Sequence, residues 1–259
     1  MTRVLSALAL LPLVIGTIWF LPPLATLVLA EVVLLLAFRE YAALATAYGA
    51  SLCRGVTVVG VAATAVAVAF DVTLVVLMAS GLTIGTVSLA TGRRASQTLL
   101  DVASSLFPLL YLGLPIGALV AVRASAGREA VVLLLATIMI SDTAQYYGGR
   151  WLGRTPLAPA ISPKKTVEGA LFGLAAGVAL MLVIATPGLD RSTVPQRALL
   201  GVALVGLGIA GDLFKSQLKR GAGVKDASTL IPGHGGMLDR IDSLLFAAPG
   251  FYLFLQLGA

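Results

Sequence analysis

Apolar residues in this chain come in long unbroken runs, and nearly all the charge sits in the short intervals between them. Nine runs are legible, at 3–20, 22–38, 54–70, 72–90, 104–121, 129–146, 166–186, 196–214 and 240–257. A helix needs about 17–25 residues to span the hydrocarbon of a bilayer. Inside lipid the backbone must satisfy its own polar groups, so runs of this length predict helices rather than strands. The expected fold is therefore all-α, a polytopic integral membrane protein with about nine transmembrane helices. No polar interval is long enough for a soluble domain, so 1–259 reads as a single membrane domain. The first run resembles a signal peptide but is long for one, and a second run follows at once, so it is expected to stay as an anchor.

Polar residues interrupt this pattern at a few places. From Phe38-Arg39-Glu40-Tyr41 to Tyr48, polar and apolar residues mix, which predicts an interfacial amphipathic helix. Residues 92–105 read similarly. Pro108 and Pro115 fall in the fifth run and predict a kink or a broken helix. Glu31 lies within the second run, where a carboxylate is costly unless paired or facing a cavity.

Composition agrees with a membrane protein: 58% of residues are hydrophobic and 12% charged, against roughly 25% charged in soluble domains. With the N-terminus in the cytoplasm, the cytoplasmic side holds fourteen of the 18 Lys and Arg. Arg123, Arg128, Arg191 and Arg197 fall outside. The positive-inside rule thus predicts an N-terminus and active site in the cytoplasm and a C-terminus outside, as in a bacterial inner membrane protein. The net charge of +6 is divided among short loops, so it suits anionic lipid headgroups and excludes nucleic acid as the partner. Cys53 is the only cysteine, which excludes an intrachain disulfide and a multi-cysteine metal site.

The chemistry concentrates in Ser216–Asp242. Lys219, Arg220, Lys225, Asp226, His234, Asp239, Arg240 and Asp242 occur there among Gly221, Gly223, Gly233, Gly235 and Gly236. Glycines allow close backbone approach to a ligand, cations hold phosphate, and carboxylates hold a hard divalent ion. A solvated basic loop is the plainer alternative. The order Ser216-x-Leu218-Lys219-Arg220, Lys225-Asp226, Pro232-x-His234-Gly235-Gly236, Asp239-Arg240-x-Asp242 resembles the signature of the phosphatidate cytidylyltransferases, the CDP-diacylglycerol synthases.

A second region runs from Ser141 to Gly173. Asp142 lies near the end of the sixth run, either as a site residue or as a helix-end acid reaching water. Tyr146 and Tyr147 read as interface aromatics, and 148–154 as a flexible basic turn. Ser162-Pro163-Lys164-Lys165-Thr166-Val167-Glu168-Gly169 precedes a helix start. It reads equally well as a phosphate-binding entry or as an N-cap beside lysines. No Walker A sequence is present. This segment is similar to the upstream motif of the same family, so the motif-bearing catalytic half lies at about 130–259.

In the nine-helix topology Asp142, Asp212, Asp239 and Asp242 reach one membrane face. Two carboxylates about 4 Å apart repel by roughly 4 kcal/mol at an effective dielectric near 20, unless cations intervene. Oxygen-only ligands predict Mg²⁺, with Mn²⁺ as a substitute. Asp212 and Asp239 are the expected first metal ligands, with Asp142 and Asp242 completing the site. Lys165, Lys219, Arg220 and Lys225 are expected to neutralise phosphates, and Lys219 and Lys225 join the catalytic set. Ser162, Thr166 and Ser216 are expected hydrogen-bond donors, while Asp226 and Arg240 orient the cations. His234, Gly235 and Gly236 are expected at the substrate.

The resemblance implies CTP and phosphatidic acid as substrates, CDP-diacylglycerol and pyrophosphate as products, membrane lipids as surroundings, and leaves a homodimer open. A CTP-dependent transferase acting on another lipid phosphate or a polyprenol is the near alternative. A transporter using Glu31, Asp142 and Asp212 as ion sites is the distant one.

Overall fold

The computed structural model describes residues 2–91, 95–184, 186, 189–224, 228 and 235–258, with side chains from Leu10 onward. Helices dominate: α1 Thr2–Phe20, α2 Pro23–Ala47, α3 Arg54–Ala69, α4 Thr73–Ala90, α5 Thr98–Pro108, α6 Leu114–Leu152, α7 Val167–Val183, α8 Val194–Gly221 and α9 Leu238–Leu257. A short antiparallel hairpin, β1 Pro156–Ala158 and β2 Ser162–Thr166, is added to the expected all-α fold. Among the described residues, three helical stretches are long and apolar enough to cross a membrane: Thr73–Ala90, Ala95–Leu152 and Val194–Gly221. Leu10–Phe20, Arg54–Ala69 and Val167–Val183 are shorter apolar helices.

The chain forms two compact units, Met1–Ala121 with Leu218–Arg240, and Val122–Gln217 with Ile241–Ala259. In the first, the two prolines act as their chemistry requires. Pro108 has no N–H to donate to the carbonyl of Ser104 one turn back. The Tyr41 hydroxyl donates to that carbonyl instead, at 2.8 Å. A π-helical turn, Leu109–Gly113, follows Pro108 and precedes Pro115. Its Gly113 comes so close to α3 that a Cβ would meet the Val61 carbonyl and Thr64. Asp101 is buried and accepts from the Ser51 N–H at 2.7 Å, and the Ser105 hydroxyl accepts from the Cys53 N–H.

The expected interfacial helix at 38–48 is instead the C-terminal part of α2, with Phe38, Glu40 and Tyr41 buried. One buried carboxylate does not end a helix when other segments supply its hydrogen bonds. α4 is built inside out: Ser80, Ile84 and Ser88 are buried at four-residue spacing, while Leu74, Met78, Leu82 and Leu89 are exposed.

In the second unit α6 breaks at Gly127, whose φ of 86° and ψ of 178° lie outside helical space. That break separates the fifth and sixth apolar runs. α7 buries Gly169, Gly173, Gly177 and Met181, one residue per turn. A stripe of small residues like this lets helix backbones approach closely. A Cβ at Gly173 would meet Gln145 and Ser141 of α6, and one at Gly177 would meet Val205 of α8. Gly173→Leu is therefore expected to destabilise the protein by about 1–3 kcal/mol through overpacking. Thermal unfolding in detergent reads this out, and an unshifted melt would show that α6 and α7 are not tightly packed.

The segment 148–154 is not a flexible turn. Helix α6 runs to Leu152, and Gly149 and Gly153 lie against the Thr166 side chain. These glycines serve close packing here. Tyr146, Tyr147 and Trp151 are exposed and in ring contact along the same stretch.

Candidate active site

Charged residues at the ends of apolar helices gather in each unit. In the second, Asp212 and Lys215 are one turn apart near the end of α8, and Asp242 is in the first turns of α9. Gly211 allows this pairing, because a Cβ there would run into the Asp242 carbonyl. The Lys215 ammonium lies 2.5 Å from Asp242 Oδ2 and 3.2 Å from Asp212 Oδ1. Lys165, delivered by β2, reaches Asp212 Oδ2 at 2.5 Å. Asp212 thus lies between two ammonium groups. The Ser216 hydroxyl stands 3.5 Å from Asp212 Oδ1.

Asp142, near the end of α6, lies within electrostatic reach of Asp242, Lys165 and Asp212 and accepts from Gln145 at 3.1 Å. Exposure grades across the cluster. Asp142 is exposed, Lys165 and Asp212 are about a quarter exposed, and Lys215 and Asp242 are nearly closed off. The deep pair anchors the helices and the shallow groups are open to a ligand. Three carboxylates face two ammonium groups, so the cluster keeps an excess of negative charge in an all-oxygen donor set. That chemistry suits a hard cation. Among the described residues, no three Asp, Glu, His or Cys side chains form a ready metal nest; the lysines bridge the acids instead.

In the first unit the Lys219 ammonium lies 2.6 Å from Asp239 Oδ1, and both side chains are about nine-tenths buried. Asp239 Oδ2 also accepts weakly from the Gly236 N–H at 3.4 Å. Gly235 has a φ of 77°, a conformation that favours glycine. Asp212 therefore belongs to the second unit and Asp239 to the first.

The remaining expected residues divide as follows. The Thr166 hydroxyl caps α7, accepting from the Gly169 N–H at 3.1 Å. Ser162 opens β2 opposite Ala158. Glu168 turns back to accept from the Arg154 and Thr155 N–H groups. Arg220 and Arg240 are exposed at the end of α8 and the start of α9. Lys225, Asp226 and His234 lie outside the described residues.

Two residues escaped the sequence reading. Lys215 had one signal, a lysine one turn after Asp212 just past the end of an apolar run. Glu40 had none, because its partners lie 188 to 198 residues away.

Comparison with known proteins shows the family. A model of the cytidylyltransferase family matches residues 1–258. The phosphatidate cytidylyltransferase of Helicobacter pylori (strain ATCC 700392 / 26695) is 39% identical over 154 residues, 59% of this chain and 57% of the relative. That of Aquifex aeolicus is 43% identical over 128 residues, 49% of this chain and 48% of the relative. That of Thermotoga maritima is 34% identical over 175 residues, 66% of this chain and 65% of the relative. The chain thus spans between about half and two thirds of the length of these curated relatives.

Proposed function

The chain belongs to the cytidylyltransferase family, and from that premise we propose that it transfers the cytidylyl group of CTP to phosphatidic acid. A phosphate oxygen of the lipid attacks the α-phosphorus of CTP. The bond from that phosphorus to the bridging oxygen breaks, and its electron pair leaves with pyrophosphate. CDP-diacylglycerol is the other product. The nucleophile is already anionic near neutral pH, so no strong general base is required. Catalysis is then positioning and charge neutralisation, as in other phosphoryl transfers.

The observation that carries this reading is the graded Asp142–Lys165–Asp212–Lys215–Asp242 cluster. Lys165 is the mobile element of the mechanism: held by Asp212 and a quarter exposed, it is placed to exchange its carboxylate for a phosphate oxygen. Lys215 and Asp242 fix the position of Asp212. Lys219 is a second cation for phosphate. Mg²⁺, when bound, would neutralise triphosphate charge; in the second unit Asp212 is its proposed first ligand, with Asp142 and Asp242 in support, and in the first unit the proposed ligand is Asp239.

We place the chain in a bacterial inner membrane with nine spans, the N-terminus and site in the cytoplasm and the C-terminus outside. A single cysteine at position 223, in a background lacking Cys53, should label from the cytoplasmic side. Labelling from the outer side alone would sink this topology and access to cytosolic CTP.

Detergent-solubilised protein given CTP, Mg²⁺ and phosphatidic acid should form lipid-linked CMP and pyrophosphate in equal amounts. Preference for a polyprenyl or ether-lipid phosphate would reassign the lipid substrate. Ion flux in proteoliposomes without nucleotide turnover would favour a transporter.

A further inference from the structure

Helix α2 reaches both sides of the Lys219–Asp239 ion pair. On one side, the Tyr48 hydroxyl, just past the end of α2, donates to the Leu218 carbonyl at 2.9 Å. On the other, buried Glu40 accepts from the Met237 and Leu238 N–H groups, both at 2.8 Å, and from the Ser228 hydroxyl. Leu218 and Leu238 immediately precede the two paired residues. Glu40 also satisfies free N–H groups at the start of α9, where a carboxylate is favoured by the helix dipole. The glycines fit the same account. A Cβ at Gly221 would enter the Tyr48 ring, and one at Gly236 would enter the Glu40 carboxylate. Their lack of side chain makes room for α2.

We propose that Glu40 is a positioning residue for the reaction, with Tyr48 as its counterpart, so that α2 holds the Lys219–Asp239 pair in register from both sides. This rests on the proposed cytidylyl transfer only in assigning Lys219 and Asp239 to the site. Glu40 need not touch substrate. It fixes the backbone at the entry to α9, and Asp239 follows from that backbone.

Glu40→Gln keeps the size but loses one acceptor oxygen and the charge. Loss of a charged hydrogen bond changes an equilibrium on the order of 10–100-fold. Peptide-resolved hydrogen exchange on the full chain in detergent, without substrate, should show faster exchange over 236–241 by about that factor. Exchange in α3 to α5 should stay as in the unsubstituted protein. The kcat/KM for CTP should fall on the order of tenfold or more by the same argument. Glu40→Ala should lie below Glu40→Gln, and Tyr48→Phe should raise exchange over 217–222.

Unchanged exchange over 236–241 in both Glu40 variants would overturn the proposal. So would faster local exchange with normal turnover, and so would loss of protection spread evenly through α3 to α5. The unsubstituted chain separates the two readings. If it makes no CDP-diacylglycerol, the functional proposal fails, while the exchange result still decides whether α2 holds the pair.

Discussion

Asp212→Asn should lower CTP-dependent turnover on the order of 10²–10³-fold, as removal of one preorganised electrostatic group does elsewhere. The folded yield should change little. Asn keeps the shape of the side chain, but its amide NH₂ faces one of two ammonium groups that Asp212 now holds. Lys165 loses its anchor and the cluster loses its central charge. The carboxylate donor that a hard cation requires is lost with it. Turnover measured against Mg²⁺ concentration should therefore show both a lower maximum and a higher Mg²⁺ requirement. Normal turnover with unchanged Mg²⁺ dependence would remove Asp212 from the site. Asp239→Asn makes the parallel test for the first unit, where Lys219 loses its partner.

The second large effect is on stability. Lys215→Met should cost about 3–5 kcal/mol, because it leaves Asp242 buried without its counter-charge. Lys215 is nearly inaccessible and bridges Asp242 and Asp212. The melting temperature in detergent should fall sharply and folded yield with it. Adding Asp242→Asn to Lys215→Met should recover much of the loss, since no uncompensated charge then remains at that depth. A double variant no more stable than Lys215→Met alone would show that packing, not charge, sets the cost.

The fold was legible where one physical constraint dominated. Run length marked most helices: the runs at 54–70, 72–90 and 240–257 correspond to Arg54–Ala69, Thr73–Ala90 and Leu238–Leu257 within two residues. Pro108 and Pro115 marked the irregular turn between them. The hairpin at Pro156–Thr166 was missed because eight of its residues carry no alternating pattern to read. α2 extended beyond its run because Glu40 is satisfied by groups far along the chain, and local composition holds no trace of such partners. The site was legible as residue types and not as pairings. Asp212, Lys165, Asp239 and Lys219 were visible as candidates, but which lysine meets which carboxylate is set by helix packing. Glycine illustrates the limit most clearly. Gly221 and Gly236 read as glycines that allow close approach, and local composition could not show that Gly221 lies against Tyr48 and Gly236 against Glu40.

The inside-out build of α4 has a consequence for how its sequence can drift. In a water-soluble helix, apolar positions are constrained and outward ones vary freely among polar residues. Here the outward positions Leu74, Met78, Leu82 and Leu89 should exchange freely among Leu, Ile, Val, Met and Phe, yet refuse charge in the proposed lipid setting. The inward position Ser80 should be restricted by size, because Gly60 of α3 lies against its hydroxyl. Substitution records along α4 should therefore show hydrophobic identity wandering on one face and side-chain volume frozen on the other.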